Sequence, residues 1–323
     1  MRTQDMAAHT PTKNLNLHAS RRNVVTIVIA VLFLYVLIPQ VGSLRTSLPL
    51  LRHANHWWVI VGVLASLATY IPAALNYVLL AQKSIHYART LVVQMAGAFI
   101  NHLLPSGIGV LGVNYLYLRR ERHTQTEAAT VLFMNNALGI VGLALLLGVL
   151  FGIDPALYGG VHMPQIPHVL YWFVGVFVVI ILAAALWFRK LWEKVRMTAS
   201  HIWKSVRWYR TSLWRVFGAL ASSMMITVCF TLSLFASAEA TGTHLSFVHA
   251  LFILALSLIG ATVAPTPGGL GGAEAGLFVG LVAYGTSSTH AVAVTLLYRL
   301  LTYWLTLGMG AVVTASIRGK VYF

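Results

Sequence analysis

The sequence predicts an all-α polytopic membrane protein: six spanning helices plus two re-entrant helical hairpins arranged as an inverted repeat. Three observations carry this expectation. The 323-residue chain is 58% hydrophobic and 9% charged, with a mean hydropathy of +0.78, whereas a soluble domain carries roughly a quarter charged residues. Its 22 Lys+Arg and 7 Asp+Glu leave a formal net charge of +15, and the basic residues cluster between apolar runs. Two Gly/Pro-rich segments also match each other without a gap at an offset of 160 positions. The composition excludes a soluble enzyme. The charge pattern assigns the basic residues to topology rather than to nucleic acid, which is not expected as a partner.

Residues 1–22 are polar, end in Ser-Arg-Arg, and read as a disordered cytoplasmic tail. Val24–Gly42 is long enough to span and no convincing small-residue cleavage site follows it, so it reads as a retained signal anchor. Further spans are expected at Trp57–Ala81, Thr126–Gly152, Val169–Phe188, Leu213–Ala238 and Ala291–Ile317. Leu91–Leu118 and Ala250–Tyr284 are also apolar, but NHLLPSGIGVLGVN and APTPGGLGGAE interrupt them. Proline and clustered glycine are poor material for a continuous helix.

The basic residues decide whether the first of these stretches crosses. If it turns back, 19 of the 22 Lys+Arg fall on the side of the N-terminal tail, and only Arg45 and Arg52 fall on the other, with Arg299 inside the last span. If it crosses, the eight basic residues from Arg189 to Arg215 face outward, against the positive-inside rule. Re-entrance is therefore expected, with both termini cytoplasmic. For the second stretch only Arg318 and Lys320 vote, and its length suits a hairpin.

The offset of 160 lays PSGIGVLGVN on PTPGGLGGAE, matching Pro105 to Pro265, Ser106 to Thr266, Gly109 to Gly269 and Gly112 to Gly272. Asn114 falls on Glu274. The transmembrane domain, residues 23–317, then divides into a first repeat at 23–152 and a second at 169–317. Three crossings precede the second copy, so its orientation is inverted. Gly/Pro-interrupted segments at corresponding positions of inverted repeats mark binding sites near the midplane.

Half-helix N-termini after these turns would offer amide donors and partial positive charge to a phosphate headgroup. Glu274 and Arg299 are the two ionisable residues best placed inside the membrane, as a neutralising pair or with Arg299 free to meet a lipid phosphate. Glu239 sits at the outer end of its span, and Asn135 and Asn136 either join helices or line the path. From Arg189 to Arg210, Leu191, Val195, Ile202, Val206 and Tyr209 share one helical face among Lys, Arg and Trp, which reads as an interfacial helix over 189–210. A plain basic inside loop is the alternative.

Catalytic material is thin. The two aspartates, Asp5 and Asp154, lie outside the apolar runs, and neither HExxH nor GxSxG occurs. His53 and His56 form an HxxH in an outer loop without further ligands, and the one cysteine, Cys229, excludes an intramolecular disulfide. No catalytic residue, metal or cofactor is expected.

At PTPGGLGGAEAGL and LLYRLLTYWL the sequence resembles the lysylphosphatidylglycerol synthase transmembrane-region family of flippase-like inner-membrane proteins. The P-x-P-G-G-x-G-x-x-E pattern is met by Pro265, Pro267, Gly268, Gly269, Gly271 and Glu274. Tyr298, Arg299, Thr302, Tyr303 and Trp304 meet Y-R-x-x-T-Y-W, and Asn101, Leu104, Pro105, Ser106 and Gly107 meet N-x-x-L-P-S-G. The resemblance implies a bacterial or archaeal cell (inner) membrane and movement of aminoacylated phosphatidylglycerol between leaflets. It departs in two ways: the chain stops six residues after Ile317, without the aminoacyltransferase domain, and Val113, Asn114 and Tyr115 stand where many relatives place a charge.

The substrate-binding residues expected from the hairpins and the resemblance together are Asn101, Pro105, Ser106, Gly107, Gly109, Asn114, Pro265, Pro267, Gly268, Gly269, Gly271, Glu274, Tyr298, Arg299 and Tyr303. The function expected is translocation of a phospholipid or lipid-linked phosphate carrier, with an anionic phospholipid or a polyprenyl phosphate as partner. Two alternatives stand beside it: a membrane subunit of an aminoacyl- or glycosyl-transfer system, with an enzyme partner, and a proton-coupled small-solute transporter using Glu274.

Overall fold

Asn55 starts the first helix by accepting the Trp57 amide on its side chain at 3.0 Å, the usual role of an N-cap. From there α1 (His56–Ala68) and α2 (Tyr70–Leu80) run on through Thr69, whose hydroxyl bonds back to Ser66 O at 2.6 Å. They are followed by α3 (Tyr87–Leu103), α4 (Ile108–Arg120), α5 (Gln125–Ile153), α6 (Leu213–Ala240), α7 (Phe247–Val263) and α8 (Gly272–Ala283). The last span is α9 (Ser288–Arg299), a π-helical turn at Leu300–Trp304, and α10 (Leu305–Ser316). This computed structural model describes residues 49–104, 108–153, 207–263 and 266–316, which belong to one unit. Every regular element longer than a single bridge among them is helical. The tail, the spans expected at Val24–Gly42 and Val169–Phe188, and the interfacial helix up to residue 206 lie outside the described residues.

Among the described residues, four helical stretches are long and apolar enough to cross a membrane: His56–Leu80, Gln125–Val149, Leu213–Ala240 and Ser288–Ser316. They coincide with four expected spans to within three residues at most ends. Large apolar side chains cover their outside, among them Trp57, Ile60, Leu64, Ile140 and Val312, as lipid contact requires. By contrast α4 has 13 residues and α8 has 12. Such helices rise only ~20 Å, short of the ~30 Å hydrocarbon core.

The two broken stretches form antiparallel helix pairs. In the first, Gln94 Nε2 donates to Asn114 Oδ1 at 2.7 Å, Thr90 and Tyr117 hydroxyls meet at 3.0 Å, and a Cβ on Gly109 would lie 2.6 Å from the Asn101 Cα. In the second, a Cβ on Gly260 would collide with the Gly272 carbonyl, and Ser257 Oγ donates to Ala273 O at 3.1 Å. An offset of 160 carries both ends of α3 onto those of α7, each 17 residues long, and carries Leu80 onto Ala240, the last residues of α2 and α6. It also carries the 101/109 contact onto 261/269 and the 97/113 contact onto 257/273.

An apolar core forms around each pair. One gathers Tyr77, Leu80, Val93, Tyr117, Leu118 and Val131 around the first pair, and the other gathers Leu234, Ile253, Leu277, Leu281, Val294 and Tyr298 around the second. The α1–α2 helix packs antiparallel on α6: Asn55 N to Ala240 O at 2.9 Å, Ser233 Oγ to Gly62 O at 3.1 Å, and Asn76 Nδ2 to Ser223 Oγ at 2.7 Å. Small residues permit this approach, and most of the α6 hydroxyls bond one turn back along their own helix, as Thr231 does to Thr227 O at 2.8 Å.

The connections follow capping chemistry. Thr124 and Glu127 cap α5 reciprocally, with Thr124 N to Glu127 Oε2 at 2.7 Å and Glu127 N to Thr124 Oγ1 at 3.2 Å. Lys83 bridges the loop to Glu127 at 3.3 Å, and Arg89 faces Glu121 at 3.7 Å. The tail of the expected interfacial helix is a 3₁₀ turn, Arg207–Thr211, pinned by Tyr209 donating to Leu80 O at 2.6 Å.

Candidate functional site

The turn from Pro267 to Gly271 places three glycines at positive φ, +61° at Gly268, +69° at Gly269 and +86° at Gly271. Only glycine adopts that region freely. At Gly268 the need is doubled, because a Cβ there would collide with the Tyr303 ring. The turn delivers Glu274 to the third position of α8, where Oε2 accepts the Gly271 N–H at 2.6 Å. Its other oxygen, Oε1, accepts Arg299 Nε at 2.7 Å. Both side chains are 13% exposed, so the pair is largely withdrawn from solvent, where an isolated charge is costly.

Arg299 makes two further contacts. Its NH2 donates to Gly268 O at 3.3 Å, and its Cζ lies 4.6 Å from the centroid of the Tyr303 ring. Tyr303 donates its hydroxyl to His102 O at 3.3 Å and packs on the His102 ring with centroids 4.3 Å apart. His102 Nε2 in turn meets Thr306 Oγ1 at 3.0 Å, while its buried Nδ1 has no hydrogen-bond partner among the described residues. The tips of the two helix pairs touch through Gly268 N donating to Leu104 O at 3.4 Å.

The π-turn follows Arg299 directly. Ser66 Oγ donates to Leu301 O at 2.9 Å, and Gly62 lies against the Leu301 side chain, so α1 supplies a bond to a carbonyl within the altered ladder. A cavity of about 200 Å³ opens beside this turn, bounded by Thr69, Gln94, Asn101, His102, Thr302 and Thr306 among others.

The expected residues divide. Gly268, Gly271, Glu274, Arg299 and Tyr303 come together as one cluster, and Asn101 lines the adjoining cavity. Pro105, Ser106, Gly107 and Pro265 lie outside the described residues. Gly109 and Gly269 are packing positions against residues 101 and 261. Tyr298 points into the second apolar core, and Asn114 is fully buried, bonded to Gln94 and to Val110 O. Asn136 is exposed and bonds its own helix at Leu132 O.

Four amides of the second tip already have protein partners. Gly268, Gly269, Leu270 and Gly271 N–H groups go to Leu104 O, Thr266 O, Pro267 O and Glu274 Oε2. A tight turn satisfies its own donors, leaving the Arg299 guanidinium as the cationic feature of the site. His102, Thr302 and Thr306 were not anticipated as a wall of the site; a histidine next to Asn101 at a broken helix was the available signal.

Among the described residues, no three His, Cys, Asp or Glu side chains come together as metal ligands. No curated protein matches the chain. Residues 23–310, most of the chain and including both tips, match the family described as the lysylphosphatidylglycerol synthase TM region. By that match the chain belongs to the lysylphosphatidylglycerol synthase transmembrane-region family.

Proposed function

We propose that this chain moves a phosphate-bearing lipid between leaflets, with the two helix pairs as re-entrant hairpins of an inverted repeat. The observation that carries the reading is the Glu274 carboxylate. One oxygen takes the Arg299 guanidinium and the other takes an amide at the start of α8, so the carboxylate occupies an anion site. A lipid phosphate competes for the same two donors, since charge-assisted bonds to guanidinium and to a helix N-terminus suit both anions. Glu274 holds the site neutral when no lipid is present.

The shared offset of 160 in helix bounds and contact pairs supports two equivalent halves. Such halves rock about a site between them. The difference between them lies in charge: Asn114 stands where the second half has Glu274, so one tip carries the ion pair. The positive-inside count supports cytoplasmic termini, and membership of a membrane-protein family supports a multi-pass location in the membrane.

The test uses vesicles holding the purified chain alone, with fluorescent phosphatidylglycerol or a fluorescent polyprenyl phosphate, read by an impermeant quencher. Faster loss of the protected fraction than in empty vesicles supports a translocase. No acceleration with either lipid, with helicity intact, points instead to a subunit that serves a separate catalytic partner.

A further inference from the structure

We propose that the cavity beside the Glu274–Arg299 pair selects an uncharged, hydroxylated headgroup, a glycerol or a sugar, on a phosphodiester lipid. This rests on the translocase reading, in which the lipid phosphate meets Arg299. The cavity measures about 200 Å³, and its polar wall includes Gln94, Asn101, His102, Thr69, Thr302 and Thr306, with Tyr70 beside them. These are amides, hydroxyls and an imidazole, groups that both donate and accept, as an array of hydroxyls requires. Ile226 and Phe230 supply apolar lining for C–H groups.

The cavity is linked to the cation through two ring contacts. His102 lines it and packs on Tyr303, and Tyr303 lies under the Arg299 guanidinium. Thr302, three residues after Arg299, lines the same cavity. Among the described residues no group bonds the buried His102 Nδ1.

The cavity wall carries no carboxylate among the described residues. The chain has only seven Asp+Glu. Glu121 and Glu127 face Arg89 and Lys83, Glu239 takes His244 and the Leu245 amide, and Glu274 takes Arg299. Asp5, Asp154 and Glu193 lie in sequence outside both helix pairs. An ammonium-bearing headgroup would enter this cavity without a carboxylate partner among the described residues, while a polyol would meet its hydroxyls and amides.

The experiment compares acyl-labelled phosphatidylglycerol, phosphatidylinositol and lysyl-phosphatidylglycerol in vesicles of the wild-type protein, so the primary result needs no variant. The first two are expected to move at least about 10-fold faster than the third. Asn101→Asp, with Ala98→Asp as a second route to a carboxylate in the cavity wall, is expected to narrow or reverse that ratio. Lysyl-phosphatidylglycerol moving as fast as the others in wild type overturns the headgroup assignment while leaving the translocase reading intact. Movement of none of the three removes both.

Discussion

Glu274 and Arg299 offer a perturbation whose size follows from their surroundings. The carboxylate and guanidinium are 2.7 Å apart and each is 13% exposed. Removing one partner strands the other in a poorly solvated site, at a cost of about 3 kcal/mol, the lower end of the range for buried pairs. Glu274→Gln is the informative change on one side, because glutamine still accepts the Gly271 N–H and keeps the α8 cap. Arg299→Met is informative on the other, because it retains much of the packing length without the charge. Combining them strands nothing, so the double variant should cost less than the two singles together by about 2–3 kcal/mol. Unfolding of the purified protein in mixed micelles of increasing sodium dodecyl sulfate fraction reads all four corners of the cycle. Additivity to within about 0.5 kcal/mol would refute the reasoning, since it would mean that the two charges are independently solvated.

Three other outcomes follow from particular contacts. Gly268→Ala should destabilise by about 1–3 kcal/mol from its φ of +61°, with a further loss from collision with Tyr303; Gly285→Ala, at +83° with open space around it, should show the conformational cost alone, and equal losses in thermal unfolding would contradict the collision. In a chain with Cys229 replaced by Ser, cysteines at Leu104 and Pro267 should cross-link the two tips and stop lipid movement until a reductant is added, whereas undiminished movement while cross-linked would show that the tips need not separate. Stability should also depend on His123, in the loop between α4 and α5, where burial is the largest cause holding its imidazole below the ordinary 6.5 and nearby Lys83 adds to it, against opposing effects of Leu118 O and Glu127. The folded state then binds fewer protons than the unfolded chain just below pH 6.5, so this contribution is full above 6.5 and falls as pH drops toward the lower folded value. A pH titration of the unfolding midpoint should flatten in that window on His123→Gln.

The four described spans were legible because apolar length is a one-dimensional property. His56–Leu80 and Leu213–Ala240 match their expected ranges closely, since each is a continuous apolar run. The pairing of Glu274 with Arg299 was legible for a related reason: few charges lie in this much apolar sequence, so each must find the other. The turn at Pro267–Gly271 was foreseen as a break but not in its hydrogen bonding, because which donors a turn keeps for itself depends on three-dimensional closure. The π-turn after Arg299 was not legible, since it involves a Ser66 hydroxyl more than two hundred positions away. The cavity was hidden for the same reason. Its wall is assembled from α2, α3, α4, α6 and the last span, and no local pattern marks Gln94, His102 or Thr306 as neighbours. Tyr298 and Arg299 are adjacent in one motif, yet helical rotation sends the tyrosine into the apolar core and the arginine to the site.

The central claim, that a lipid phosphate takes the position held by the Glu274 carboxylate, is tested most directly by solid-state NMR dephasing between ¹⁵N-labelled arginine side chains and the ³¹P of phosphatidylglycerol in vesicles. The account predicts a guanidinium-to-phosphorus contact that persists after washing with high salt and disappears in Arg299→Lys. Identical dephasing in the two proteins would place the phosphate elsewhere and contradict it.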